Sequence, residues 1–324
     1  MRSFLVVIAL VAACLPAPPA VIEDATGRWE ERAPLALGPR QETAVVALRG
    51  EVVVLGGVDD HGATLAVVEA YQPDTDRWRR LADLPVALHH ANAGVVDDTL
   101  VVAGFLLGAG FTPDGRVFRY DVDRDTWTTG TSMPSGTERG AAGCAVVGDH
   151  LYVIGGLQAG SVATMSRYHV VDDAWEALGE LPVALDHLGT YAVDERLWVI
   201  GGRTDGLRNH TARLLELDPQ TLRLVERTPM PTSRAGFAGA VVGDELVVVG
   251  GEGAAAGNGV FAVTEAYHPA TDTWRPLLDL RTPRHGMGAA TIDGVLYVPG
   301  GADREGFAAV AVHERFVPAP PAAP

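Results

Sequence analysis

Lysine is absent: all 25 basic side chains are arginine, and 41 acidic residues bring the formal charge to -16. A surface so acidic disfavours nucleic acid and anionic membrane as partners, because both are polyanions. Neutral sugars and peptides remain open to it. Cysteine is nearly as scarce, with only Cys14 and Cys144. Two cysteines build no disulfide framework, and Cys144, within the strand-like run Ala141-Ala-Gly-Cys-Ala-Val-Val147, reads as a buried thiol. Helical periodicity of useful length is missing beyond the first twenty residues. No G-x-G-x-x-G or Walker sequence opens a helix, which argues against a phosphate-cradling loop. Compact metal-ligand spacing is also absent, so neither a metal nor a cofactor is expected.

The first residues differ from the rest. Arg2 precedes an apolar run from Phe4 to Ala13, followed by Leu15-Pro-Ala-Pro-Pro-Ala20. The run is too short for a permanent membrane helix and has the form of an export-signal h-region. Val11-Ala-Ala-Cys14 resembles the bacterial lipobox, which implies lipidation of Cys14; cleavage by an ordinary signal peptidase is the other reading. Residues 1–20 are therefore expected to be export signal and tether, residues 21–317 one folded unit, and residues 318–324 a Pro/Ala tail. The mature protein is expected outside the cytoplasm, in the periplasm, secreted or lipid-anchored at the cell envelope.

What the chain has in abundance is repetition. VVVLGG ends at Gly57, LYVIGG at Gly156, LWVIGG at Gly202, LVVVGG at Gly251 and LYVPGG at Gly301, with a damaged copy, LVVAGF, ending at Phe105. The first glycines, at 56, 104, 155, 201, 250 and 300, are 48, 51, 46, 49 and 50 residues apart. Trp29, Trp78, Trp127, Trp175, Leu224 and Trp274 keep nearly the same period, and Tyr71, Tyr120, Tyr168, Leu217 and Tyr267 precede the last five of these by seven residues. Aspartate- and proline-rich segments such as Gln72-Pro-Asp-Thr-Asp76 lie between, as tight hairpins require. Each unit thus reads as four short strands.

Gly-Gly, then Tyr, then Trp, repeated at about 50 residues, resembles the kelch repeat over roughly residues 26–317. Six copies imply an all-β, six-bladed β-propeller. Trp29 has no tyrosine strand before it, and Phe316 has no tryptophan strand after it. The segment around Trp29 is therefore expected to supply the outermost strand of the last blade, closing the ring and removing a free edge. The ladders are expected to pack blade on blade, Leu217 and Leu224 to be apolar packing replacements, and Leu106–Gly115 to be a long loop.

Candidate functional residues stand sixteen to fourteen positions before each first glycine: Arg40-Gln41-Glu42, Leu88-His89-His90, Arg139-Gly140-Ala141, Leu185-Asp186-His187, Arg234-Ala235-Gly236 and Arg284-His285-Gly286. In a propeller these turns emerge on one face near the central channel. Two readings stay open for the arginines, a brace for the turn or a ring of guanidinium forks for a carboxylate. Arg40, His89, His90, Arg139, Asp186, His187, Arg203, Arg234, Arg284 and His285 are the ligand-binding candidates. Glu42, Asp186 and Glu252 are candidates for acid or base.

The resemblance to exported bacterial kelch proteins implies a monomeric binding protein whose central face recognises a sugar, a sugar acid or an acidic peptide, or which engages another cell-envelope protein. The alternative it suggests is a mutarotase acting on a sialic-acid-like sugar acid, with Arg139, Arg234 or Arg284 as carboxylate clamp. Copper chemistry of the galactose oxidase kind is disfavoured, since its cysteine–tyrosine cross-link has no counterpart around Cys144.

Overall fold

A computed structural model describes residues 20–320. Export signal, lipobox and nearly all of the tether, including Cys14, lie outside the described residues, as do the last four residues of the tail. Among the described residues every regular element is a strand, and the strands form six antiparallel sheets. The innermost strands, Ala44–Leu48, Ala93–Val96, Gly143–Val147, Gly189–Val193, Ala238–Val242 and Ala290–Ile292, each touch the next, and the last touches the first. This is a closed six-bladed propeller.

Each blade's second strand is apolar without alternation because neighbouring blades cover both of its faces. Val52, Val53, Val54 and Leu55 are all buried in this way. Between blades 1 and 2, Val53, Leu55 and Ala70 pack with Leu100, Val102, Phe118 and Tyr120. The ladders tie the same interfaces with polar bonds. Trp78 Nε1 donates to the Ala33 carbonyl (2.8 Å), Trp127 to Ala82 (3.0 Å), Trp175 to Thr131 (2.9 Å) and Trp274 to Thr228 (2.8 Å), each on the preceding blade. Tyr71, Tyr120 and Tyr267 donate to Asp76, Asp125 and Asp272 of their own hairpins, and those carboxylates accept the backbone N–H of Ala33, Ala82 and Thr228. Leu217 and Leu224 in blade 4 replace this anchor by apolar packing on Tyr152, Ile154 and Leu181.

The glycine pairs are explained by crowding. Gly56 and Gly57 have φ of +57° and +102°, and a Cβ on them would lie 2.5 Å from the Leu88 carbonyl of the next blade and 2.6 Å from the Gln41 carbonyl of their own. Any side chain there is both strained and obstructed. Phe105, in the second position of its pair, lacks a positive φ, so the strand continues past Gly104 through a bulge and pairs Phe105 with Asp114 and Leu107 with Thr112. The expected loop is therefore a long hairpin, Thr99–Leu107 with Thr112–Asp121, whose tip carries Phe111 inward. Asn92, fully buried, bonds the Arg139 carbonyl at 3.0 Å, the role that the second glycine's N–H fills in other blades.

The ring closes as the aromatic markers imply, with one addition. Trp29 pairs with Phe316, which pairs with Leu296, so Gly27–Glu31 completes the last blade. It is not the outermost strand, however: Val21–Asp24 hydrogen-bonds outside it as a fifth strand, exposed along its whole length. The Asp24 carboxylate fixes the turn between them by accepting the Thr26 N–H at 2.7 Å, a local bond with no repeat to announce it.

Candidate functional site

Six residues, one per blade, enter the inner strands in the left-handed region: Glu42 (φ 54°), His90 (51°), Ala141 (51°), His187 (53°), Gly236 (56°) and Gly286 (61°). Each donates its N–H to the carbonyl of its counterpart in the preceding blade: His90 to Glu42 (2.9 Å), Ala141 to His90 (2.9 Å), His187 to Ala141 (2.8 Å), Gly236 to His187 (3.0 Å), Gly286 to Gly236 (2.8 Å) and Glu42 to Gly286 (2.5 Å). These six bonds form an unbroken circle about the propeller axis. Glycine suits such a conformation, as at 236 and 286, whereas a side chain there costs roughly 1–2 kcal/mol. Glu42, His90 and His187 are held in it nonetheless, and non-glycine residues so strained concentrate at functional sites.

Their side chains meet. His90 Nε2 lies 2.9 Å from His187 Nε2 and 3.1 Å from Glu42 Oε2. Behind His187, Asp186 Oδ1 is 2.5 Å from Nδ1; behind His90, His89 Nδ1 is 2.5 Å from Nδ1, and His89 Nε2 is 3.0 Å from the Gly108 carbonyl. Arg203 donates Nε–H to Asp186 (2.9 Å) and pairs with Glu252 through Nη1. His285 Nδ1 lies 3.6 Å from Glu252 and 3.8 Å from Glu42. Above this network is a cavity of about 210 Å³, walled also by Phe111, Leu207, Arg208, Glu305 and Phe307. Below the circle, the channel continues between Ala44, Ala93, Cys144, Thr190 and Gly288. Cys144 is half-buried there, and burial pushes its thiol up to about 11.

Burial raises the Glu42 carboxyl, but the combined pull of His90, His285, His187 and Arg203 outweighs it and holds the group at about 2. Asp186 is likewise raised by burial and brought down to about 2 by its hydrogen bonds to His187 and Ser161 and by Arg203. Burial drives His90 well below the ordinary imidazole range despite the Glu42 charge, and lowers His89 too. The site thus holds Glu42 as a carboxylate, while burial works against the charged form of the His90 imidazole beside it.

The four arginines are elsewhere. Arg40, Arg139, Arg234 and Arg284 are each 0% exposed and turn into their own blades. Arg40 pairs with Glu69, Arg234 with Glu265 (2.5 Å) and Arg284 with Glu314 (2.7 Å). Arg139 bonds the Gly155 carbonyl (2.7 Å), the Val153 carbonyl (2.9 Å) and Ser166 Oγ (2.8 Å). Of the two readings of these residues, the brace matches the geometry. The guanidinium ring does not form, because a fork spent on buried carbonyls and a carboxylate cannot also reach the axis. The chain carried a signal for this: Glu69, Glu265 and Glu314 each stand two residues before the ladder aromatic, and where Leu88 and Leu185 replace arginine, Phe118 and Leu215 replace the glutamate.

Of the remaining candidates, the fold brings Glu42, His90, His187, Arg203, Glu252 and His285 to the cavity wall, with His89 and Asp186 directly behind. Phe111, Leu207 and Phe307 were not foreseen. Phe111 is the tip of the hairpin that Phe105 creates, and its ring centroid lies 5.3 Å from that of His90. The damaged glycine pair was the only mark of it in the sequence.

The Kelch motif is matched over residues 39–85, 138–182 and 233–279. The chain is 33% identical over 313 residues to Kelch-like protein terF of Aspergillus terreus, an alignment covering 90% of this chain and 68% of that protein. Kelch-like protein 35 of Mus musculus is 26% identical over 260 residues, covering 79% of this chain but 42% of its own length. The chain thus spans less than half of that longer relative. Among solved structures, that titled "Structure of YjhT" superposes with a TM-score of 0.73 at 16% identity, covering 87% of this chain and 95% of the other, a likeness of fold alone. With the repeat, the blades and the extended alignment to a kelch-like relative in agreement, the chain belongs to the kelch-repeat family.

Proposed function

We propose that this kelch propeller is a binding protein that takes a small, neutral, polar ligand such as a sugar into the cavity above Glu42, His90 and His187. The observation that carries the reading is the mix of groups at one concave place: carboxylate and imidazole acceptors facing apolar walls from Phe111, Leu207 and Phe307. Such a wall suits a ligand with both hydroxyl groups and an apolar face. A sugar acid or acidic peptide fits less well. Glu42, Glu252 and Glu305 line the cavity, and Arg203 is already paired with Asp186 and Glu252. The mutarotase alternative loses its support, since Arg139, Arg234 and Arg284 are enclosed.

A second reading, docking of a protein partner at the rim, is favoured by Leu207 and Phe307, which are 73% and 49% exposed. The apolar run from Phe4 to Ala13 supports export, with Cys14 as the site of a lipid anchor; mass spectrometry of the mature N-terminus tests that.

Thermal unfolding against a panel of neutral sugars, sugar acids and acidic peptides tests the ligand class, because a ligand of the native state raises the melting temperature by mass action. A rise with a neutral sugar, lost in Phe111→Ala and Glu252→Gln, is expected. A rise with sugar acids or acidic peptides alone overturns the reading, and no rise with any member points to the rim.

A further inference from the structure

We propose that Glu42, His90 and His187 bind a divalent first-row transition-metal ion at the mouth of the channel. The argument starts from where the protons must be. His89 Nε2 can reach the Gly108 carbonyl, at 3.0 Å, only as a donor, so in the neutral ring its Nδ1 is an acceptor. The 2.5 Å contact between His89 Nδ1 and His90 Nδ1 then requires the proton on His90, which leaves His90 Nε2 bare. On the other side, His187 Nδ1 donates to Asp186, which leaves His187 Nε2 bare as well. Two imidazole lone pairs therefore face each other at 2.9 Å, with the Glu42 Oε2 acceptor 3.1 Å from one of them. Three acceptors at such distances repel unless a positive charge, an added proton or a metal ion, lies among them.

The dimensions suit a metal. With metal–nitrogen and metal–oxygen bonds of about 2.1 Å, adjacent ligands of an octahedral ion are about 3.0 Å apart. The two separations here, 2.9 and 3.1 Å, fall on either side of that value, and the three ligand atoms all lie within 4.8 Å of one another. Glu42 and His187 are farther from each other than either is from His90, so they would flank His90 on opposite sides of an ion, and this set of two imidazoles and one carboxylate leaves other positions free for a ligand. Those positions would open toward the cavity beneath Phe111 and Phe307. The outer shell is in place too: Asp186 orients His187 and His89 orients His90, as carboxylates and other acceptors do behind metal-bound imidazoles.

One contact has to be weighed against this. Arg203 Nη2 is 3.2 Å from His187 Nε2, close enough to donate to it. It is also 3.3 Å from His187 Nδ1, and near-equal distances to both ring nitrogens put it over the ring face. The Nε2 lone pair lies in the ring plane and is not engaged from there. Asp149, His150 and His169 form another cluster of potential ligands, on the outer part of blade 3. Its histidines already contact Asp149 at 2.7 Å each, so it serves as the control.

The test uses the full chain, freed of metal with a chelator and titrated with Zn2+ by calorimetry and with Co2+ by absorption. One ion per chain is expected from the channel site, with a melting-temperature rise of roughly 4–6 °C at a hundredfold excess over Kd. Glu42→Gln, which preserves shape, should weaken binding at least tenfold. Asp186→Asn should weaken it by about 10–100-fold through the loss of ring orientation. His90→Ala with His187→Ala should abolish it, and His150→Ala with His169→Ala should leave it unchanged. The proposal is overturned if no ion binds, or if binding survives Glu42→Gln and the His90/His187 pair but falls with the His150/His169 pair. Metal uptake is read without any organic ligand, so this result and the sugar panel fail or succeed separately.

Discussion

At the scale of single residues, the blades conduct their own experiment on a buried ion pair. Blades 5 and 6 hold Arg234 with Glu265 and Arg284 with Glu314, whereas blade 2 holds Leu88 with Phe118 and blade 4 holds Leu185 with Leu215. Both solutions fold within one ring. This accords with the physics of buried charge: removing one partner strands the other, while replacing both with apolar groups is nearly neutral. Arg284→Leu alone is expected to cost roughly 3–5 kcal/mol, and Arg284→Leu combined with Glu314→Leu much less than the sum of the two single changes. Urea midpoints of the four proteins in that cycle decide it. Additive losses would mean that the brace acts through the Gly300 and Val312 carbonyls, bonded at 2.7 and 3.0 Å, more than through the carboxylate.

At the scale of elements, the last blade is assembled from both ends of the folded region, and its two N-terminal strands differ in weight. Trp29, on Gly27–Glu31, is 0% exposed, packs on Phe316 with centroids 5.2 Å apart, and donates to the Leu278 carbonyl at 2.8 Å. Val21–Asp24 is exposed along its length, with Val21 48% and Ile22 37% exposed. Trp29→Ala should therefore cost roughly 3–5 kcal/mol, as an aromatic truncation in a core. A chain that begins at Ala25, and so lacks Val21–Asp24, should lose far less than Trp29→Ala, because it gives up only partly covered side chains and none of the buried core. Thermal unfolding of the two proteins checks this, and a large loss on removing the edge strand would show that it protects the closing pair.

At the scale of the whole molecule, closure concentrates a titratable group where blade 6 meets blade 1. His313 is fully buried, its ring edge-on to Tyr71 at 4.4 Å, and its Nδ1 lies 3.1 Å from the same Ala33 carbonyl that accepts Trp78. Burial first, and the charges of Arg284 and Arg32 after it, push His313 down to about 3 against the opposing Ala33 bond and Asp76. In the unfolded chain it takes a proton near its ordinary value of 6.5. Between these two values the unfolded state binds more protons, so stability falls as pH drops from about 6.5 toward about 3 and is fully present above that window. The melting temperature should decline between about pH 6.5 and about pH 4.5, before most carboxylates titrate, and the decline should be shallower in His313→Asn. An equal slope in both would assign the effect to His89 and His90 instead.

The number of blades, the partners in each ladder and the closing of the ring are legible in the residues alone, because these follow from a period and from residue types that act within one or two hairpins. Gly56 and Gly57 announce a turn that excludes Cβ, and Trp29 and Phe316 announce each other by what each lacks. The cluster at the axis comes from the assembled ring. Arg40, Gln41 and Glu42 are consecutive, yet Arg40 turns into the blade toward Glu69 while Glu42, in the left-handed conformation, projects to the axis. Glu42, His90 and His187 stand 48 and 97 residues apart, a spacing that hides a cluster until the six inner turns are joined in a circle. A period specifies where in a blade a residue sits; the direction of its side chain, and what it meets across the axis, depend on backbone conformation and on the other five blades.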